Sequence, residues 1–405
     1  MNKDNYDPRK GFEALRRGFE NREGRTLEAR VALLEALDRI LTKREQDLES
    51  ALRRDLGKPP IESYLSETYF VRNELRLICK NLARWSKPKR RRSPFFFQPA
   101  SSWVSREPFG VSLVAAPWNY PFQLSMSPVI GSLAAGNSVM LKPSELAPAT
   151  ANFLAEVAHE LDSPERFQVV LGGPEVGSAC LELPFDHFFY TGSERVGRLY
   201  GEAAARHLSP SVLELGGKCP AILHHDAPVA ETAKRIVRQK FFNAGQTCMA
   251  PDYVVVPEQL HESFVNKLTD HLRESYPDLT DLGRIVSHEH YTRLETLIEE
   301  EAKSIGQDEP EGLQLAPRLL PNAGWDIPAM QGEIFGPILP VISYTDLSDT
   351  IARVKSHGSP LALYLFSRDR AWAEGIAAEV PSGGICFNDV MKQGINLDLP
   401  FGGVG

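Results

Sequence analysis

The segment Phe242-Asn-Ala-Gly-Gln-Thr-Cys-Met-Ala-Pro251 carries the strongest chemical signature in this chain. It follows a helix-like stretch, Pro228–Phe241, and precedes an apolar run, Tyr253–Val256. Gly245 permits a tight turn, and the polar pair Gln246-Thr247 is out of place in a core. Cys248 therefore stands on a turn between two regular elements. A thiolate is the best protein nucleophile near neutral pH, and such a loop can offer backbone N–H groups to an oxyanion. A cysteine taken at random is more often an inert core thiol; here the surroundings favour a nucleophile.

Five further segments hold polar groups where strands should end. In Val212-Leu-Glu-Leu-Gly-Gly-Lys218, Glu214 interrupts an apolar strand that runs into two glycines. Burial there should raise its pKa toward that of a general base, whereas a strand-end carboxylate facing water would have no such role. In Ala116-Pro-Trp-Asn-Tyr-Pro121, Asn119 follows an apolar strand, at the carboxyl end where open α/β sheets place ligands. Its amide can stabilise oxygen charge, although Asn before Tyr-Pro is also an ordinary turn residue. Lys142 and Glu145 in Leu141-Lys-Pro-Ser-Glu145 can bracket a ribose. In Tyr190-Thr-Gly-Ser-Glu-Arg-Val-Gly197 a strand gives way to a helix, whose N-terminal N–H groups suit a pyrophosphate. Gly332-Glu-Ile-Phe-Gly-Pro337 sets a charge and an aromatic ring between glycines.

These residues need a frame. The chain has 405 residues, too many for one core, so two domains are expected. The first hundred residues read as helical: Leu27, Val31, Leu34, Leu37, Ile40, Leu41 and Leu48 recur at spacings of three and four, with Gly57 as a stop, and a second run covers 61–85. From about 110 the texture alternates. Val111–Ala116, Val139–Leu141, Phe167–Leu171, His187–Tyr190 and Val212–Leu215 read as strands, with helices at Ala149–Leu161 and Arg195–His207. A second series runs through Tyr253–Val256, Ile338–Ser343, Ala362–Phe366 and Gly384–Asn388. Such alternation predicts mostly parallel sheets with right-handed crossovers.

Other features exclude functions. The net charge of −8 argues against nucleic acid as a partner. The basic run Lys87-Pro-Lys-Arg-Arg-Arg92 is best read as a solvated helix end leading into a linker. The polar N-terminus has no secretory apolar core, and no segment is apolar enough to span a bilayer. The five cysteines, at 79, 180, 219, 248 and 386, form no CxxC pair, which suits reduced thiols and a cytoplasmic setting. Cys219 reads as a buried structural thiol. His224 and His225 should point apart on a strand, and no HExxH or Cys/His cluster exists, so no metal is expected.

Taken in order and spacing, PWNYP, LKPSE, TGS, LELGGK, GQTC, EIFGP and PFGGVG resemble the aldehyde dehydrogenase superfamily, with GQTCMAPDY and the short N-terminal region most like its class 3 branch. The resemblance covers nearly the whole chain. It implies two doubly wound Rossmann-like α/β domains: NAD(P)-binding over 1–86 and 108–214, catalytic over 215–388. It also implies a small β bridging and oligomerisation element over 87–107 and 389–405. Cys248 matches the nucleophile, Glu214 the general base, and Asn119 the oxyanion donor. Lys142 and Glu145 match the adenosine-ribose contacts, Glu333 the nicotinamide-ribose ligand and Phe335 the aromatic beside the nicotinamide. Trp118, Gly192, Ser193 and Val196 fall in the cofactor-binding motifs, with Ser193 at the helix terminus beside the pyrophosphate.

The implied reaction is oxidation of an aldehyde to an acid through a Cys248 thiohemiacetal and thioester. NAD is the expected cofactor, since Glu145 repels a 2′-phosphate, with NADP as a second acceptor because the branch often takes both. Two alternatives stand beside it: a cysteine-dependent esterase or hydrolase, and a non-catalytic truncated relative. Phe122, Met249 and Met391 either line an apolar substrate tunnel or simply pack. The resemblance also implies a homodimer joined by a hairpin around 90–106, where Phe95, Phe96, Phe97 and Val104 are too apolar for a free loop. Relatives continue past PFGGVG into a further strand, so 1–405 is expected to be a fragment of a longer protein and to assemble poorly alone.

Overall fold

Short, wholly apolar segments separated by amphipathic stretches build two separate sheets. The computed structural model describes residues 7–404. One unit takes the described residues as far as Leu52 together with Ser63–Glu214; the other takes Arg53–Glu62 and the chain from Leu215 onward.

In the first unit β1 (Lys89–Arg91) and β2 (Ser102–Val104) form an antiparallel ribbon, with Lys89 opposite Val104. The main sheet uses β3 (Val111–Ala115), β4 (Ser138–Lys142), β5 (Phe167–Val169), β6 (His187–Gly192) and β7 (Ser211–Leu215), in the order β5-β4-β3-β6-β7. β4 and β6 flank β3 in parallel. Every residue of β3 and β4 is buried, which requires helices on both faces. The crossover helix Gln123–Ala135 supplies Met126, Val129, Ile130 and Leu133 to the core that Leu34, Leu37 and Leu41 also enter. It ends at Gly136, whose φ of 100° is one that glycine adopts without strain.

The second unit has seven strands: β8 (Pro220–Leu223), β9 (Tyr253–Pro257), β10 (Lys303–Ser304), β11 (Arg318–Leu320), β12 (Ile338–Tyr344), β13 (Ala362–Phe366) and β14 (Gly384–Phe387), in the order β10-β11-β12-β9-β8-β13-β14. All pairings are parallel except that of β10 with β11. β9 and β13 are buried at every position. The mixed α/β architecture with parallel sheets is the one expected.

Several details differ from expectation. The basic run is not a helix end, because Lys89–Arg91 pairs as a strand with Ser102–Val104. The run over 61–85 contains a π-helical turn, Tyr64–Thr68, inside its helix. β8 and β11 carry little local signal, β8 because it is four residues long and opens on a proline, and β11 because Arg318 interrupts its apolar pattern. Arg318 is tolerated there because its guanidinium pairs with Asp308. His224 and His225 lie beyond the end of β8, where strand alternation no longer applies, and their rings touch at 3.9 Å. Arg53–Glu62 joins the second unit, where Arg284 Nη2 donates to Arg54 O at 2.6 Å and the Arg284 N–H to Leu56 O at 2.7 Å.

Candidate active site

In the first unit, candidate positions follow from the ends of three adjacent strands, β4, β3 and β6. β3 runs into Pro117-Trp118-Asn119, with Asn119 buried. The turn after it is held by Glu67, whose buried carboxylate accepts the N–H groups of Phe122 and Gln123 at 3.1 and 2.7 Å. Glu67 thus occupies the positive end of the helix Gln123–Ala135. β4 ends on Lys142, whose Nζ donates to Glu145 Oε2 at 2.7 Å; the lysine is buried while the carboxylate remains partly exposed. β6 ends on Gly192, where a Cβ would lie 2.3 Å from the Tyr190 hydroxyl. That hydroxyl donates to the Ser193 carbonyl at 3.3 Å, and the Tyr190 ring stacks on Tyr200 at 4.6 Å. Ser193 precedes the helix Glu194–His207, and its side chain caps no amide there. Val196, half-buried, lies in the first turn of that helix.

Glu214 lies in edge strand β7 and is half-buried. Burial raises its pKa, and among the described residues no cation or hydrogen-bond donor opposes that shift. A carboxylate in this state takes up protons more readily than one in water.

In the second unit the Cys248 loop is tied at nearly every peptide. Asn243 and Ala244 adopt left-handed backbone, with φ of 54° and 52°. Such residues persist only where surrounding contacts over-determine them. Glu62, buried, accepts the Asn243 N–H at 3.0 Å, and burial pushes its carboxyl up to about 7. Gly245 has φ of 73°, and a Cβ there would sit 2.2 Å from the Gly336 carbonyl. Gln246 is wholly buried: its amide donates to Asn243 O at 3.1 Å and Arg284 O at 2.9 Å, and its oxygen accepts the Val286 N–H at 3.1 Å. The polar pair that looked misplaced is therefore half anchor. Beyond it, the Cys219 thiol donates to Cys248 O at 3.4 Å and the Tyr364 hydroxyl to Met249 O at 2.5 Å. Cys248 itself is partly exposed.

The close approach of Gly245 to Gly336 brings Glu333-Ile-Phe335-Gly336 beside this loop. Phe335 has φ of 52°. The Glu333 carboxylate accepts the Gly217 N–H, and burial, then the charge of Asp252, raises its pKa to about 8. Its Oε1 is buried and has no hydrogen-bond partner among the described residues. An orphaned acceptor of this kind is costly unless a ligand hydroxyl completes it. It fits a ribose, and the tight glycine at 192 fits a close backbone approach.

Phe122 is fully buried against Phe153 and packs as core rather than lining a tunnel. Cys219 is fully buried. Among the described residues no group of three or more His, Cys, Asp or Glu side chains could hold a metal, and no helix is long and apolar enough to cross a membrane. Sequence reading missed Glu62, Glu67 and Asp252, since an isolated acidic residue carries no local signal of the amide it will accept.

Residues 2–405 match the model of the Aldehyde dehydrogenase family. The chain is 38% identical over 394 residues to 4,4'-diaponeurosporen-aldehyde dehydrogenase of Staphylococcus aureus, covering 96% of this chain and 86% of that protein. It is 39% identical over 401 residues to aldehyde dehydrogenase family 3 member H1 of Arabidopsis thaliana, covering 96% and 83%. Among solved structures, the substrate-bound state of Staphylococcus aureus AldH superposes with a TM-score of 0.96 at 36% identity, over 99% of this chain and 89% of that one. A Mycobacterium tuberculosis aldehyde dehydrogenase complexed with NAD+ superposes with a TM-score of 0.82 at 29% identity, over 93% and 81%.

Proposed function

The chain belongs to the aldehyde dehydrogenase family and is an enzyme that oxidises aldehydes with NAD, and we propose that Cys248 is the group that attacks the substrate. The observation that carries this reading is the loop: a partly exposed thiol on a segment whose flanking peptides are fixed by Glu62, Gln246, Cys219 and Tyr364. Fixing the backbone fixes the Cys248 N–H, and a preorganised donor is what an oxyanion needs.

The Cys248 thiolate adds to the aldehyde carbon and forms a thiohemiacetal. The oxyanion takes two donors, the Asn119 side-chain N–H and the Cys248 N–H. Re-forming the carbonyl expels the hydride and leaves a thioester on Cys248. NAD, when bound, supplies the hydride acceptor. Glu214 then takes a proton from water, the hydroxide equivalent attacks the thioester, and the acid departs as the thiolate is regenerated. Lys142 and Glu145 would hold the adenosine ribose and Glu333 the nicotinamide ribose, and Phe335 would supply an aromatic contact to the nicotinamide. Trp118, Gly192, Ser193 and Val196 would complete the cofactor contacts. Glu145 favours NAD over NADP, because its carboxylate accepts a 2′-hydroxyl but repels a 2′-phosphate.

Cys248→Ala should lose oxidation by at least about a thousandfold while still binding NAD. A variant keeping more than about a tenth of wild-type kcat would remove Cys248 from the reaction. Assay with both cofactors tests the role of Glu145: a kcat/KM for NADP equal to that for NAD contradicts it. We further propose a cytoplasmic homodimer assembled through the β1–β2 ribbon, whose Phe95, Phe96, Phe97 and Trp103 are exposed.

A further inference from the structure

Lys218 follows the two glycines that leave β7, and its side chain is buried. An ammonium has three hydrogens, and here all three are committed: to Asp252 Oδ2 at 2.5 Å, Ala329 O at 2.7 Å and Gly332 O at 2.8 Å. Asp252 is equally buried, and its second oxygen, Oδ1, accepts the Ile334 N–H at 3.0 Å. Gly332 and Ile334 are the neighbours of Glu333. One buried ion pair therefore pins the carbonyl before Glu333 and the amide after it. The Gly217 N–H, one residue before Lys218, reaches the Glu333 carboxylate itself. A Cβ on Gly216 would lie 2.2 Å from Glu333 Oε2, so only glycine lets that carboxylate sit there. What remains of Glu333 is Oε1, buried and unmatched.

A buried ion pair adds little net stability compared with apolar side chains of the same size, because both charges lose water. Its specific gain is geometry: it fixes two backbone groups at once. We propose that Lys218 and Asp252 are positioning residues for cofactor binding, which orient the free oxygen of Glu333, and Phe335 two residues later, toward the nicotinamide ribose. This rests on the reading of Glu333 as a ribose ligand. The pair is also joined to the segment leaving the Cys248 loop, since the Asp252 N–H donates to Cys219 O at 2.8 Å. The test must therefore separate an effect on the cofactor loop from one on the nucleophile.

Two reactions of the same chain do so. Hydrolysis of p-nitrophenyl acetate without cofactor uses the thiol and the base only, whereas aldehyde oxidation also uses Glu333 and Phe335. For Lys218→Met the KM for NAD should rise about tenfold or more and kcat fall, while ester hydrolysis stays within about threefold of wild type. Asp252→Asn, which keeps an acceptor for Ile334 but loses the charge, should show the same split at smaller size. Loss of ester hydrolysis in step with oxidation would overturn the proposal, because the pair would then serve the Cys248 loop. An unchanged KM for NAD in Lys218→Met, with a raised KM in a parallel Glu333→Gln, would overturn the positioning role alone. An unchanged KM in Glu333→Gln would instead overturn the ribose reading on which it rests. Should Lys218→Met fail to fold, Lys218→Arg decides by the same readouts, since the larger guanidinium must displace Gly332.

Discussion

Among the carboxylates that burial raises, Glu214 and Glu62 face different tasks. Glu214 is read as the base for thioester hydrolysis, so its loss should spare the steps before it. Glu214→Gln should release a burst of reduced cofactor close to one per active site, followed by slow turnover in stopped-flow absorbance. Equal slowing of burst and steady state would assign the base elsewhere. Glu62 bears on stability instead. Its folded pKa of about 7 lies above the ordinary value of 4.5, with Lys58 opposing the shift and Asp281 adding to it. A raised carboxyl contributes stability that is present below pH 4.5 and lost as pH rises through the folded value. Between pH 5 and 8.5 the wild type should therefore lose roughly 2.5 kcal/mol more than Glu62→Gln. Urea melts of both at the two pH values measure this, and parallel losses would mean that Glu62 does not titrate in the fold. The glutamine keeps an acceptor for the Asn243 N–H, so the loop should persist in the variant.

At the scale of elements, the Cys248 loop is held less by its own sequence than by what packs around it. Gly245 combines a φ of 73° with a carbonyl 2.2 Å from where a Cβ would stand. Gly245→Ala must shift either the Cys248 loop or the segment carrying Glu333 and Phe335. We expect a stability cost of about 1–3 kcal/mol, from backbone strain of the usual size. Oxidation should fall by about a hundredfold or more, since a small misplacement of reacting groups costs that much. Kinetics beside a thermal melt would check this; a stable variant with wild-type kcat would show that the loop tolerates displacement. The helices of the first unit are comparatively legible, because their burial follows the spacing of Leu34, Leu37 and Leu41. The ribbon β1–β2 was legible only in part. Its basic residues suggested a helix end, yet the three phenylalanines beside them already indicated a surface that something covers.

At the scale of the molecule, that ribbon supplies the remaining prediction. Phe95 is 91% exposed and Trp103 63%, far more than a lone soluble subunit keeps without use. If a second copy covers them, replacing both Phe96 and Trp103 by serine should convert the dimer to monomers in sedimentation velocity. The fold of each unit should survive, since neither residue is buried in a core. A wild-type chain that sediments as a monomer would remove the dimer reading. Charge agrees with a small-molecule enzyme more than with a nucleic-acid binder: the net charge is −8, and the only strongly basic run is spent on the ribbon.

The sequence by itself determined the parallel α/β architecture and singled out Cys248, Glu214, Asn119 and Glu333 as candidates, because periodicity and polar residues beside turns and glycines are local signals. It also marked Gln246 and Thr247 as misplaced in a core. Only the tertiary structure decided what those residues are tied to. That Arg53–Glu62 joins the second unit, that Glu62 accepts an amide 181 residues away, and that Lys218 and Asp252 bracket Glu333 all depend on long-range contacts. A buried carboxylate or ammonium looks the same in a sequence as one in water; the partners that make its burial tolerable are brought to it by the fold alone.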